Sequence, residues 1–261
     1  MSRVESAMRD LTHLDEVARQ QTWLHRIDAR AKAITTLVYV VAIASLPRHA
    51  VLEMLPFAAY PLMLLLAAQL PLRVLTRPLL VTILLGMAIG AANPFLDRSP
   101  VRVFDGWCIA GGWLSFISIQ LRAVLGVTGA IGLIATTGME RLCHGLARLG
   151  VPRGFVTQLL FLYRYLFLLG ANSAAMSRAR DLRSNGRPLQ LSTYGSLVGH
   201  LLLRTLDRAE RIHAAMCCRG FHGDIPLGES DRFGPRDAAF VAVWCLVLIA
   251  IRVSHSGNFP H

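Results

Sequence analysis

Charge is scarce in this chain. Charged residues make up 16% of its 261 residues, and apolar residues 54%. Soluble domains carry about a quarter charged residues, so the composition points away from a soluble globular protein. Lysine is nearly absent, since Lys32 is the only one among 27 basic residues. Cysteine is sparse. Cys108, Cys143, Cys217, Cys218 and Cys245 show no Cys-x-x-Cys spacing and no metal-ligand pattern. The adjacent Cys217 and Cys218 read as two small helix residues rather than a redox pair. No GxxxxGK[ST] loop is present, which excludes that mode of ATP binding. HExxH and GxSxG are missing too. The nine histidines are scattered, with none paired at i, i+4. His255 and His261 lie near one another, but a selective metal site needs three or more fixed ligands. No catalytic residue, cofactor or metal site is therefore expected. With its first thirty or so residues polar, the chain is expected to have no cleavable signal peptide. The net charge of +11 comes with no nucleic-acid motif. In membrane proteins basic residues mostly set topology, so nucleic acid is not an expected partner.

Long apolar runs are what the chain has instead, at about 31–46, 51–70, 78–92, 113–137 and 236–252. A helix rises about 1.5 Å per residue, so a span needs about 20 apolar residues. The second and fourth runs are long enough, and the others must borrow flanking residues. Pro47 ends the first run, Pro71 and Pro78 bracket a loop after the second, and Asn93 and Pro94 break the third. Carboxylates are almost missing from these runs, with Glu53 at a helix start. The expected fold is all-α: a polytopic membrane protein with about five transmembrane helices plus cytoplasmic helices. Residues 1–30 form a cytoplasmic segment, 31–137 hold four spans, 138–235 return to the cytoplasm, and 236–252 form the last span.

Basic residues support that layout. Segments 1–32, 71–78 and 138–236 hold six, two and fourteen of them. Five remain outside: Arg48, Arg98, Arg102, Arg122 and Arg252. The positive-inside rule then puts the N-terminus in the cytoplasm and the C-terminus outside the cell membrane. Phe155–Gly170 is nearly apolar enough to span. A crossing there would move ten arginines, Arg178 to Arg236, outside and leave Arg164 near mid-membrane. The segment therefore reads as an in-plane or intracellular helix, with Tyr163, Arg164 and Tyr165 at a polar boundary. Arg122 reads first as snorkelling to the outer interface, and second as a polar contact with another membrane subunit.

The cytoplasmic stretch carries fourteen arginines and seven acids. From Gly199 to Cys218, Leu202, Leu206, Ala209, Ile212 or His213, and Met216 make one apolar helical stripe. Asp207 and Arg211 stand at i, i+4 on the other face. The helix ends in Cys218, Arg219 and Gly220, where glycine suits a left-handed C-terminal residue. SRARDLRSNG ends in a related way with Leu182, Arg183 and Ser184, and Arg180 competes for the arginine role. Two arginine-tipped helices suit a two-lobed acidic partner, because the guanidinium is a rigid, always-charged fork. The competing reading is an amphipathic helix lying on the anionic surface of the lipid bilayer.

These residues resemble a known family, the transmembrane (T) component of energy-coupling factor (ECF) transporters, cobalt type, CbiQ. The resemblance covers most of the chain. HRIDARAKAITTLVYVV is similar to the family's Asp-Pro-Arg-x-Lys start of the first span, with Ala29 in the proline position. ATTGMERLCHGLARLGVPRGFVTQLLFLYRYLFLL is similar to the segment leading into the coupling helices. ARDLRS and AMCCRGFHG resemble the two Ala-Arg-Gly coupling motifs, and both keep the arginine, although the first lacks the glycine. The resemblance implies two ATP-binding ATPase subunits, whose grooves take the two arginine tips. It also implies a separate cobalt-capture membrane subunit, with room for a small accessory membrane subunit, and a role in cobalt uptake for cobalamin synthesis. Nickel or a vitamin is the alternative cargo. A membrane anchor without transport and an intramembrane enzyme are the rivals from other classes.

Overall fold

The computed structural model describes residues 24, 27–47, 51, 54–69, 72–93, 100–104, 107–184, 191–221, 223 and 233–256. The chain divides into two compact units. One comprises Leu14–Gly145 with Asp231–His261, the other Met1–His13 with Leu146–Ser230.

The first unit is a helix bundle. Its described elements are α1 (Ala29–Ala44), a 3-10 turn (Pro56–Ala58) running into α2 (Ala59–Ala68), and α3 (Leu72–Gly90). A hairpin of β1 (Pro100–Phe104) and β2 (Trp107–Ala110) leads into α4 (Gly111–Thr137) and α5 (Met139–Arg148). The other helices are α6 (Arg153–Arg183), α7 (Leu191–Cys217) and α8 (Pro235–Ser256). α6 and α7 belong to the second unit, and α8 to the first.

The architecture is that of an all-α membrane protein, with one small addition that hydropathy did not anticipate. The strands β1 and β2 pair antiparallel, Val101 opposite Ile109 and Arg102 opposite Cys108. Asp105-Gly106 between alternating apolar residues is a hairpin signal, and a search for 20-residue runs passes over it.

α4 is the bundle's centre because its small residues let neighbours approach. A Cβ on Gly129 would lie 3.0 Å from the Tyr39 ring of α1, and one on Gly132 would lie 2.9 Å from Leu64 of α2. α3 returns the favour with Gly86 and Gly90, which sit under Gln120 and Phe116 of α4. Gly86 and Gly90 have the small-xxx-small spacing, and small residues like these bring helices together in lipid, where close packing replaces the hydrophobic effect. Gln120 Nε2 also donates to the Ile83 carbonyl at 2.8 Å. Between α1, α2 and α8 the Tyr39 and Tyr60 rings lie 4.8 Å apart, and Trp244 meets Tyr60 edge-on at 5.0 Å. The buried Tyr60 hydroxyl shares a 2.6 Å hydrogen bond with Thr36 Oγ1, so its polar tip is satisfied inside an apolar cluster. The outer faces stay apolar, with Leu80, Leu84 and Ile89 of α3 and Leu246 and Ile249 of α8 all exposed.

Several sequence expectations need correction. The loop expected at 71–78 is mostly helix, since α3 starts at Leu72 and carries Pro78 inside. Thr82 Oγ1 donates to the Pro78 carbonyl at 2.8 Å. The second run, read as a comfortable span over 51–70, carries a continuous helical stretch from Pro56 to Ala68 among its described residues, shorter than a span. Gln69 ends it in a left-handed conformation, φ 48°. Asp207 does not pair with Arg211 through its carboxylate. Arg211 Nε donates instead to the Asp207 backbone carbonyl at 3.1 Å. α6 runs 31 residues through the segment expected to end near Gly170. Along with α4, it is long and apolar enough to cross a membrane by length and composition. The expected N-terminal helix lies outside the described residues apart from Leu24, Ile27 and the start of α1.

Candidate functional site

The second arginine tip forms for a local reason. Gly220 follows the helix in a left-handed conformation, φ 83°. There its N–H donates to the Cys217 carbonyl at 3.0 Å, and the Phe221 N–H reaches back to the Met216 carbonyl at 3.0 Å. This pair of bonds is the Schellman arrangement, which satisfies carbonyls that the helix end leaves open. Phe221 folds back edge-on to the His213 ring, with centroids 6.4 Å apart. Arg219 is held at the turn with its side chain exposed. Cys218 and Gly220 beside it are exposed as well.

The first tip ends differently. α6 runs to Arg183, and Ser184 caps it in a right-handed conformation, φ −79°. The Ser184 N–H donates to the Arg180 carbonyl and its Oγ to the Asp181 carbonyl, both at 2.9 Å. Leu182 is 86% exposed, and Arg183 is exposed beside it. Arg180, the competing arginine, is mostly covered and binds Asp181 at 3.0 Å. Among the described residues, the side chains of Arg183 and Arg219 make no hydrogen bond or ion pair. Residues 184–190 link the first tip to the start of α7, and the second tip is at its end. A helix of 27 residues is about 40 Å long, and Arg219 lies just past its C-terminal end, whereas Arg183 ends α6.

A third site joins the starts of α1 and α8 to the end of α4. Asp28 caps α1 by accepting from the Arg30 N–H at 2.9 Å. Its own N–H donates to Asp237 Oδ1 at 2.9 Å, and Asp237 Oδ2 accepts from the Gly234 N–H at 2.8 Å. One carboxylate therefore serves the starts of two helices, where it also meets the positive ends of their dipoles. Lys32 is only 1% exposed, and its ammonium donates to the Thr136 carbonyl at 2.8 Å, near the last turn of α4. Arg141, Asp237 and Asp28 are the charges in reach of it. α5 closes on the same place, because a Cβ on Gly145 would come within 3.1 Å of Ala29 Cβ. Sequence reading named Asp28, Arg30 and Lys32 only as parts of a motif and missed Asp237. Its signal was a carboxylate two residues after a proline that opens an apolar run.

The opposite end of α1 has its own charged caps. Arg122 of α4 donates to the Leu46 and Pro47 carbonyls, each at 2.7 Å. Arg252 of α8 donates to the Ser45 carbonyl at 2.9 Å. The snorkelling reading of Arg122 therefore gains a definite target within the chain, the carbonyls of Leu46 and Pro47 just past the C-terminus of α1.

On α5, burial and then the neighbouring Glu140 push the Cys143 thiol up. Cys217 and Cys218 are exposed.

Comparison with known proteins agrees with this architecture. The chain is 28% identical over 221 residues to the cobalt transport protein CbiQ of Rhodobacter capsulatus, covering 82% of this chain and 86% of that one. It is 27% identical over 186 residues to the nickel permease LarQ of Lactiplantibacillus plantarum, covering 63% and 67%. A putative fused cobalt transport protein CbiMQ of Methanocorpusculum labreanum is 25% identical over 112 residues, covering 42% and 19%. Residues 20–228 match the model of a single family, so the chain belongs to the CbiQ cobalt transport protein family and is a membrane component of a transporter.

Proposed function

We propose that this chain is the scaffold and coupling subunit of an ATP-driven importer of the energy-coupling factor type, carrying cobalt for cobalamin synthesis. Two ATPase subunits take Arg183 and Arg219 into their grooves, and a separate membrane subunit captures the ion. Closure of the ATPases on ATP pulls the two tips, and α6 and α7 carry that motion to the capture subunit. The observation that carries this reading is the pair of exposed arginines at the ends of α6 and α7, whose side chains make no bond among the described residues. Such a guanidinium is ready for a carboxylate or carbonyl on a partner. The fused relative, whose name joins two cobalt transport components in one chain, supports a membrane partner.

The proposed topology puts the N-terminus and 138–235 in the cytoplasm and the C-terminus outside. Twenty-two basic residues inside against five outside support it. α6 stays on the inner side despite its length, because a crossing would export the ten arginines beyond it and strand the exposed Arg164 in lipid. External thiol labelling should reach a cysteine placed at Gly257 and miss one placed at Asn185. Labelling at 185 from outside contradicts the layout.

Co-purification tests the reading directly. Tagged chain from its native membrane should bring down an ATPase and at least one small membrane subunit, with hydrolysis dependent on assembly. Recovery of the chain with no ATPase, at full transport, contradicts it. The similarity to a nickel permease supports nickel as the second cargo. Uptake of labelled cobalt, competed by nickel, separates the two.

A further inference from the structure

α6 and α7 enclose a cavity of about 500 Å³ within the second unit. Its two sides differ in chemistry. The α6 wall is mostly apolar, with Phe161, Leu168 and Leu169, and adds the polar groups of Tyr165 and Asn172. The α7 wall adds Arg204, Arg208 and Arg211, four and three residues apart and so on one helix face. Arg211 anchors its Nε on the Asp207 carbonyl. Among the described residues, Arg204 and Arg208 make no hydrogen bond or ion pair, and both are exposed. The acids of this helix, Asp207 and Glu210, are not part of the cavity wall.

An apolar slot beside three arginines has the polarity of an anionic amphiphile. A purely apolar partner helix would leave three guanidinium forks unanswered at its edge, and a soluble anion would leave the α6 wall bare. The volume lies within the roughly 300–1,000 Å³ of small-molecule sites. The guanidinium fork matches phosphate oxygens in geometry and charge. Basic pockets on the cytoplasmic side of membrane proteins hold acidic lipid headgroups for the same reason. Leu202 and Leu206, one turn apart on α7, are 57% and 52% exposed. They extend the apolar surface along the same helix.

We propose that this cavity binds an anionic phospholipid, with an acyl chain against Phe161, Leu168 and Leu169 and the phosphate held by Arg204, Arg208 and Arg211. Arg183 and Arg219 are not among the lining residues, although His213 and Met216, which support the turn of the second tip, are.

The test is lipid retention by the intact transporter complex. The complex is purified after exchange into equal phosphatidylglycerol and phosphatidylcholine, and bound lipid is counted by native mass spectrometry. Phosphatidylglycerol should be retained several-fold over phosphatidylcholine. Arg204→Gln with Arg208→Gln should abolish that preference. Ala209→Trp, which fills the cavity and leaves the arginines in place, should lower retention of both lipids. A photoreactive residue at Leu169 in the otherwise natural chain keeps the question open to answer if those variants do not assemble. Cross-linking of Leu169 to phospholipid supports the site. Equal retention of the two lipids, or cross-linking of Leu169 to a partner membrane subunit, overturns it.

Discussion

Lys32 and Thr136 lie 104 residues apart in sequence, yet the lysine ammonium donates to the threonine carbonyl at 2.8 Å in a buried setting. The contact pins the start of α1 to the end of α4. Arg122 closes the opposite end of the same antiparallel pair on Leu46. Lys32 to Leu46 and Arg122 to Thr136 are both fourteen residues, so two cation-to-carbonyl bonds fix the register of the bundle at its ends. Each cation also sits at the negative end of the helix it caps.

Replacing Lys32 with Met keeps the side chain's length and removes its donor. Hydrogen bonds from charged groups are worth about 1.5–3 kcal/mol. Lys32→Met should lower the thermal midpoint of the purified chain in detergent by that order of stability. An unchanged midpoint would remove the pin from the account.

Arg122 and Arg252 serve the same helix end unequally. Arg122→Gln loses two 2.7 Å bonds, whereas Arg252→Gln loses longer bonds of 2.9 and 3.3 Å to Ser45 at an exposed site. The first substitution should cost about 1.5–3 kcal/mol and the second less. Denaturation of both variants in the same micelles measures the order. A larger loss from Arg252→Gln contradicts it.

Gly220 is the residue the second tip cannot replace cheaply. Nothing lies within 4 Å of a Cβ there, so crowding plays no part and the left-handed φ of 83° is the whole cost. That cost is about 1–2 kcal/mol for a residue other than glycine. Gly220→Ala should lower ATPase association with the complex while membrane insertion stays normal. Gly154→Ala, inside α6 and also with open space around it, is the control and should change neither. Equal behaviour of the two variants in a pull-down would show that the turn is dispensable.

Thiol chemistry reports on the tip as well. The thiolate is the reactive form, and raising a thiol's pKa leaves less of it at neutral pH. Cys143, buried and pushed up, should label slowly with maleimide, and its rate should climb only at alkaline pH. Cys217 and Cys218 should label fast in the free chain. Assembly with the ATPases should protect Cys218. Full labelling of Cys218 in an active complex would place the tip outside the interface.

Hydropathy read the helical membrane architecture because long apolar runs are a one-dimensional signal. It read the end of α7 for a related reason, since Cys218-Arg219-Gly220 specifies its turn locally. It did not read the start of α3, because Pro71 and Pro78 look like loop boundaries, and a proline inside a helix is tolerated only where packing compensates. Nor did it read the hub at Asp28 and Asp237. Those residues are 209 positions apart, and neither flanking sequence encodes the other. The same holds for Arg122, whose target carbonyls belong to a helix end 75 or 76 residues earlier. The cavity of α6 and α7 was half visible. The stripe Ala209, Ile212 and Met216 lines it, while Leu202 and Leu206, expected in the same stripe, face outward.

The most direct test of coupling is the double variant Arg183→Ala with Arg219→Ala, assayed for ATP hydrolysis and cobalt uptake in the same reconstituted complex. Loss of one member of a desolvated charged pair costs about 2–5 kcal/mol at an interface, and here two such members are removed. Uptake should fall to background, with the ATPases either lost from the complex or hydrolysing ATP without transport. Lysine at both positions should restore it only in part, because lysine lacks the planar fork. Wild-type uptake with a full complement of ATPase in the double alanine variant would contradict the assignment of Arg183 and Arg219 as the coupling residues.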